Sequence, residues 1–587
     1  MLLPTLSEND AGQSVVSQFF GYNHDPNISE GEWYDEKNLT ADYYPVLSTR
    51  KSRSAFLQNM VDPKGLISKG AMAYIDGNKF YWNGLEIDGL YIGGEGPKQL
   101  VSMGAYILIF PDALYFNTED VNDFGSMGAN YSYTGSVDVQ LSRKDGEIYG
   151  DYTVSETAPE SPQDGDMWMD TSTNVVVLKQ WNSDTSSWVL IPTTYLKVHL
   201  PGVGSQFKQY DGVTLSGFPD PFEFLNQTAV IQAIDNDNIV VIGILKNGIT
   251  SFEGTVSANR NIPSMDYVTE CDNRLWGCKY GLVNGKSVNE IYASKLGDFK
   301  NWNCFMGIST DSYAASRGSD GPFTGAVTMD GHPLFFKEHF VEKVYPSAAG
   351  AHQIVSTPCD GVQKGCWRSL QVVNGTLYYK GISGIFAYNG ALPSKISSNF
   401  GDEMYTDARA GTVEGKYFVS MKNAKDEYEM FTLDYVNVSS RYRTYSNPVW
   451  HKEDNVKAMM FTQMNGKLYW IDEDKKQIIC NEGEGEVIEW SAESGVIGFE
   501  YPGNKYISRF VIRAELPEPM SSIRLQMKYD EGEWIDKAWY AGFGLRSFVI
   551  PVPPVRCDHV RIRLSGTGKC KIFSIAKYYE KGSDVFW

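Results

Sequence analysis

One short pattern occurs six times along this chain: an acidic or amide residue, usually followed by glycine, then a run ending in paired aromatic or aliphatic residues. The copies are Asp76-Gly77 before Phe80-Tyr81-Trp82, Asp272-Asn273 before Leu275-Trp276, Asp330-Gly331 before Leu334-Phe335-Phe336, Asn374-Gly375 before Leu377-Tyr378-Tyr379, Glu414-Gly415 before Tyr417-Phe418-Val419, and Asn465-Gly466 before Leu468-Tyr469-Trp470. Asn-Gly and Asp-Gly supply the positive φ angles of a two-residue hairpin turn. The aromatics that follow suit a half-buried pleated strand. From Gly331 through Gly375 and Gly415 to Gly466 the spacings are 44, 40 and 51 residues. Recurrence every 40–50 residues with several strands per unit is the mark of propeller blades. The expected fold is all-β: a β-propeller of six or seven blades.

The rest of the chain departs from the repeat. Residues 1–60 show little periodicity and read as an extended segment crossing the surface or joining a neighbouring subunit. First propeller strands are expected over 61–118. Residues 119–260 break the spacing and read as inserted small β domains. A Gly-, Ser-, Asp- and Asn-rich approach, from Asn117 through Gly135, resembles a linker. The run from Asn174 to Leu178 leads to Trp181 and Trp188 as a small hairpin, and Thr194–Val198 and Asn238–Gly243 read as strands. The remaining blades are placed at 261–494. Beyond them the alternation becomes strict, with Phe510, Ile512, Ala514 and Leu516, then Ile523, Leu525, Met527 and Tyr529, then Val560, Ile562 and Leu564 separated by polar residues. Period-two patterning with a charged outer face predicts a C-terminal β-sandwich over 495–587.

Composition narrows the function classes. No stretch of 18 apolar residues suggests a membrane-spanning segment. Met1–Glu8 lacks the basic start and apolar run of a signal peptide, so synthesis in a cytoplasm is expected. The eight cysteines are scattered and read as reduced core residues, with Cys271/Cys278 and Cys359/Cys366 spaced too widely for a zinc knuckle. A net charge of −20 opposes wrapping nucleic acid, which needs a basic face. It fits a soluble protein, and also an acidic lumen past which DNA could slide.

No catalytic motif is found. Gly281 to Ser287 is one residue short of a phosphate-binding loop and reads as a hairpin turn. Asp235-Asn236-Asp237-Asn238 lacks the ligand spacing of a calcium loop and reads as a tight turn. Asp311, Asp330 and Glu338 lie near aromatics, as sugar-cleaving carboxylates often do, but propeller turns use acids routinely. Catalytic residues, cofactor and metal are each expected to be none. Trp168, Trp181 and Trp188 either stack on a glycan or a partner, or form the core of a small domain.

Several stretches resemble structural proteins of tailed bacteriophages. Ile291 to Trp302, with its Ala-Ser-x-x-Gly-Asp-x-x-x-Trp run, is similar to a segment of virion propellers, and Ser309 to Tyr313, Phe323 to Gly325 and Phe335 to Glu338 follow it in the same order. Gly165 to Thr171, with Leu178, Lys179 and Trp181, resembles a hairpin module of tail and fibre proteins. Arg556 to His559, and the stretch from Glu580 to Val585, resemble the closing sandwich of that group. The nearest resemblance is to the propeller-bearing tail-nozzle, tail-stabilisation or tail-hub proteins of short-tailed phages. That resemblance implies a non-enzymatic virion component made in the host cytoplasm, a homo-oligomer forming a ring, usually of six copies. Its partners would be portal and adaptor proteins, tail fibres or spikes, and, transiently through the lumen during genome ejection, DNA. The alternative is a tail protein that binds or cleaves host-surface carbohydrate.

Overall fold

A computed structural model describes residues 11–434, 448–500 and 503–582. The ends of two sequence readings, Met1–Glu8 and 583–585, lie outside those residues. Among the described residues regular structure consists of strands and short 3-10 turns. The chain is all-β.

Seven four-stranded antiparallel sheets follow one another. Sheet 1 begins at Pro63–Lys69, sheet 2 at Gln99–Met103, sheet 3 at Tyr267–Cys271, sheet 4 at Gly325–Met329, sheet 5 at Gln371–Val373, sheet 6 at Thr406–Val413 and sheet 7 at Ala458–Met464. Five of the six sequence copies are the turn between first and second strands, in sheets 3 to 7, with both turn residues at positive φ, as at Asn374 (50°) and Gly375 (78°). The copy at Asp76-Gly77 instead joins the second and third strands of sheet 1. Sheet 2 turns at Gly104-Ala105 and so escaped the pattern.

The paired apolar residues pack each sheet against the next. Ile75 and Phe80 of sheet 1 meet Ile107, Ile109 and Phe116 of sheet 2. Leu108 and Phe110 then meet Val268 and Leu275, and Trp276 and Cys278 meet Phe335 and Val344. One continuous cluster joins Phe336, Tyr379 and Tyr417 across sheets 4 to 6, and Phe418 meets Leu468 and Trp470 of sheet 7. The succession returns on itself: Tyr469, Ile471 and Ile478 of sheet 7 pack on Leu66, Met72 and Tyr74 of sheet 1.

The N-terminal reading needs correction. Residues 11–57 are not a free arm. Ala11–Val16 pairs with Lys571–Lys581, Leu47–Thr49 pairs with the same strand, and Glu32–Lys37 pairs with Glu489–Ser494. Val16, Phe19, Trp33, Leu39 and Leu47 thereby enter the core of the C-terminal sandwich. Ser54–Leu57 is the fourth strand of sheet 7, pairing with Gln477–Cys480. Short strands without alternation hid these pairings, because their partners lie more than 400 residues away. The sandwich itself has the predicted core, with Phe510, Ile512, Leu525 and Ile562 buried, but it starts at Glu489 instead of 495.

The insertion also differs at its start. Phe124–Ser126 is the last strand of sheet 2, and the expected linker ends inside Ala129–Ser142, a 14-residue strand. That strand runs through a seven-stranded sheet with Tyr195–His199, Gly212–Ser216, Asn238–Ile242 and Ser251–Arg260. A second, four-stranded sheet holds Tyr152–Ser155, Met167–Asp170, Val177–Asn182 and Ser187–Leu190. The stretch from Ile291 to Trp302 fastens the insertion to sheet 3: fully buried Asn301 donates to the Tyr210 carbonyl (3.0 Å) and Asp211 (3.2 Å) and accepts from the Gly212 N–H (3.0 Å).

Candidate functional site

First strands of six of the sheets, all but sheet 3, contribute to the lining of a cavity of about 200 Å³. Leu66, Leu100, Ala326, Leu370 and Phe461 form its apolar wall. Its polar lining is Lys98, Gln99, Arg368, Gln371 and Arg409, with no carboxylate. In a chain of net charge −20 that lining is the reverse of the surface.

Most of these groups are occupied in holding neighbouring strands together. Gln99 Nε2 donates to the Val268 carbonyl (2.6 Å), and Gln371 Nε2 donates to Ala410 (3.0 Å). Lys98 is buried against Asp112 (2.8 Å). Arg409 sits two residues after Asp407, a spacing that brings both side chains together, and makes a 2.8 Å pair with it. Glu473 (2.7 Å) and the Ala458 carbonyl (3.1 Å) complete its partners. Burial alone would raise the Asp407 and Glu473 carboxyls. The Tyr428 hydroxyl with Arg409 for the first, and Lys457 with Arg409 for the second, overturn that and hold both below their ordinary values. Both are therefore ionised near neutrality, poor candidates for donating a proton. Arg368 is less well matched. Its Nη1 donates to the Met459 carbonyl (2.9 Å), its Nη2 lies 3.8 Å from Asp407, and its buried Nε has no partner. Burial, then Arg409, lowers its guanidinium to about 10.

A second ionic cluster ties the sandwich to sheets 6 and 7. Arg53 binds Asp454 through two hydrogen bonds (2.8 and 2.9 Å) and Glu453 (2.5 Å) while lying over the Trp470 ring. Arg50 binds both oxygens of Glu486 (2.8 Å each). Beside them, His451 Nδ1 lies 2.9 Å from Glu36 Oε2, and burial pushes the Glu36 carboxyl up against the opposing pull of His451.

The three indoles come together as a group. Trp168 is buried, its Nε1 donating to the Ser155 carbonyl (3.0 Å) and its ring facing Lys179. Trp188 meets Trp168 and Trp181 edge-on, with centroids 5.4 Å apart in each pair. Trp181 and Trp188 remain half-buried. Asp311 accepts backbone N–H groups of Met306 (2.5 Å), Gly307 (2.7 Å) and Ile308 (3.2 Å), Asp330 is a turn residue, and Glu338 accepts the Lys364 N–H (3.1 Å). These three acids act as turn and loop fasteners and do not share a site. Gly281–Ser287 is the tip of a hairpin that turns at Asn284-Gly285, and Asp235–Asn238 spans a tight turn between paired strands. Among the described residues no group of acids, histidines and cysteines has metal-site geometry. No helix among them is long and apolar enough to cross a membrane.

No protein-family model matches the sequence, and no curated protein matches it. Solved structures do match. An exo-β-1,3-galactanase from Phanerochaete chrysosporium is 7% identical over 53% of this chain and 94% of its own, with a TM-score of 0.21. A glycoside hydrolase is 12% identical over 52% and 96%, with a TM-score of 0.19. Trypanosoma rangeli sialidase is 8% identical over 90% and 96%, also with a TM-score of 0.19. The expectation that this chain is not an enzyme is corrected here, because the structures it is similar to are carbohydrate-cleaving enzymes. At these scores the likeness assigns neither activity nor substrate.

Proposed function

We propose that the seven sheets are blades of a propeller closed by Ser54–Leu57, and that the chain is a building block of a bacteriophage tail assembled with copies of itself. The motifs at 165–171, 291–302 and 556–559 support the tail reading through their resemblance. Packing of sheet 7 on sheet 1 supports the propeller.

The observation that carries the assembly is the open edge of the sandwich. Ile535–Ala541 pairs only with Ser522–Tyr529, and Gly544–Pro551 only with Lys505–Leu516, so each is an edge strand among the described residues. Edge strands of a free-standing sheet are normally blunted by charge or proline. These two strands carry Asp536, Lys537, Arg546 and Pro551, but beside them the exposed positions include Trp539 (65% exposed), Phe543 (63%), Leu545 and Val549. The sheet that ends in Gly544–Pro551 carries Ala11–Val16 on its far side, a strand with no charged residue. Large exposed apolar side chains on one edge and an uncharged strand on another suit head-to-tail contacts, which close into rings when the rotation permits. The central cavity is far too small for duplex DNA, whose major groove alone is about 12 Å wide. DNA would pass through the lumen of a ring of copies, beside portal, adaptor and fibre proteins.

Analytical ultracentrifugation of the full chain tests this. Concentration-dependent oligomers are expected, with Leu545→Lys/Val549→Lys weakening association by more than about tenfold, about 1.4 kcal/mol, at unchanged melting temperature. A strictly monomeric chain, or a variant that associates equally well, contradicts the reading.

Carbohydrate recognition is the second reading, favoured by the half-buried Trp181/Trp188 pair at the surface of the small module. Saccharide binding on a glycan array that is lost in Trp181→Ala, without loss of fold, is its expected result. Binding unaffected by that change removes the module from consideration.

A further inference from the structure

We infer that the cavity among the first strands of sheets 1, 2 and 4 to 7 is a binding site for a small carboxylate or phosphate anion, received by Arg368. Three observations carry this. The cavity lining holds three cations and no acid. Two of those cations are matched: Lys98 by Asp112, and Arg409 by Asp407 and Glu473. Glu473 also serves Lys457 (3.0 Å), so Arg368, Arg409 and Lys457 face only two carboxylates. One positive charge is left over, on the residue whose nearest acid stands at 3.8 Å.

A guanidinium buried without a full set of acceptors is costly, because each missing hydrogen bond leaves a desolvated donor. Arg368 meets one carbonyl through Nη1, while Nε has no partner. Nη2, which makes no hydrogen bond and stands 3.8 Å from Asp407, is the donor left to make a charge-assisted hydrogen bond to a carboxylate or phosphate entering from the cavity. A small anion in the cavity would balance the charge, with Leu66, Leu100 and Ala326 packing its apolar part. Strand fastening alone explains Gln99, Gln371 and Arg409, each of which bonds a backbone carbonyl of the next sheet; it does not explain a third cation whose nearest acid stands at 3.8 Å. The inference is independent of the assembly reading.

Isothermal titration of the full chain with acetate and with inorganic phosphate, using glycerol as neutral control, tests it. Saturable binding of one or both anions is expected, weakened by at least about tenfold in Arg368→Gln and unchanged in Arg556→Gln, an exposed arginine. Ala326→Phe, which fills the cavity and leaves Arg368 in place, should abolish binding and keeps the test decisive where Arg368→Gln fails to fold. Absence of saturable binding, binding undiminished in Ala326→Phe, or equal binding of glycerol overturns the proposal.

Discussion

Arg53→Ala is expected to remove about 3–5 kcal/mol of stability, because it deletes the shared cation of a buried cluster and leaves Glu453 and Asp454 facing each other. The Arg53 side chain is 9% exposed and that of Glu453 6%, so water cannot take its place cheaply. Burial on its own would lower the guanidinium, yet Asp454 and Glu453 raise it above its ordinary value. The same pairing fixes the response to acid. Burial would raise the Asp454 and Glu486 carboxyls, but Arg53 and Arg50 hold both below their ordinary values. A carboxyl depressed in the folded state contributes stability that is present above its unfolded pKa and is lost as pH falls through the folded value. The native chain should therefore weaken below about pH 4, and Arg53→Ala should show a shallower slope there. Urea unfolding at pH 7 and at pH 3.5 measures both effects. A loss under about 1 kcal/mol at pH 7 would place the cluster at a wet surface.

Removing residues 1–57 should abolish folding altogether. The deletion takes Val16, Phe19, Trp33, Leu39 and Leu47 from the sandwich core and exposes the edge of Gln477–Cys480 in sheet 7. Fully burying such side chains contributes about 1.5–3 kcal/mol each. Five of them together rival the 5–15 kcal/mol that separates a folded domain from its unfolded state. An insoluble product without a cooperative thermal transition is expected, and a soluble one that melts like the full chain would contradict the pairing of the two termini. Ser54–Leu57 pairs the beginning of the chain with the last sheet of the succession, and local sequence gives little reason to notice it.

What was legible in the sequence depended on how local the determining interaction was. Hairpin turns at 330–331, 374–375, 414–415 and 465–466 need positive φ at two adjacent residues, and Asp-Gly, Asn-Gly and Glu-Gly announce it. Strict alternation at 510–516 and 560–564 likewise states which face is buried. Sheet 2 was harder to recognise because its turn at Gly104-Ala105 has only Gly104 at positive φ (53°) and so lacks the paired signal. The N-terminal strands were misread because their partners, Lys571–Lys581 and Glu489–Ser494, sit at the other end of the chain. At the central cavity, the spacing of Asp407 and Arg409 was a visible signal, but Arg368 precedes a short strand without any pattern around it. Only the convergence of first strands from six sheets places it beside them. The three tryptophans were identifiable as a group, and their edge-on packing, with Trp168 buried, is that of a small core carrying two half-exposed members.

The central claim is a closed succession of seven sheets in which Ser54–Leu57 completes the last and sheet 7 abuts sheet 1. An electron cryo-microscopy or crystallographic map of the full chain at side-chain resolution tests it most directly. The account predicts density for Ala55 beside Ile479, and for Tyr469 and Ile471 against Leu66 and Tyr74. A three-stranded seventh sheet, or a gap filled by solvent between sheets 1 and 7, would contradict it.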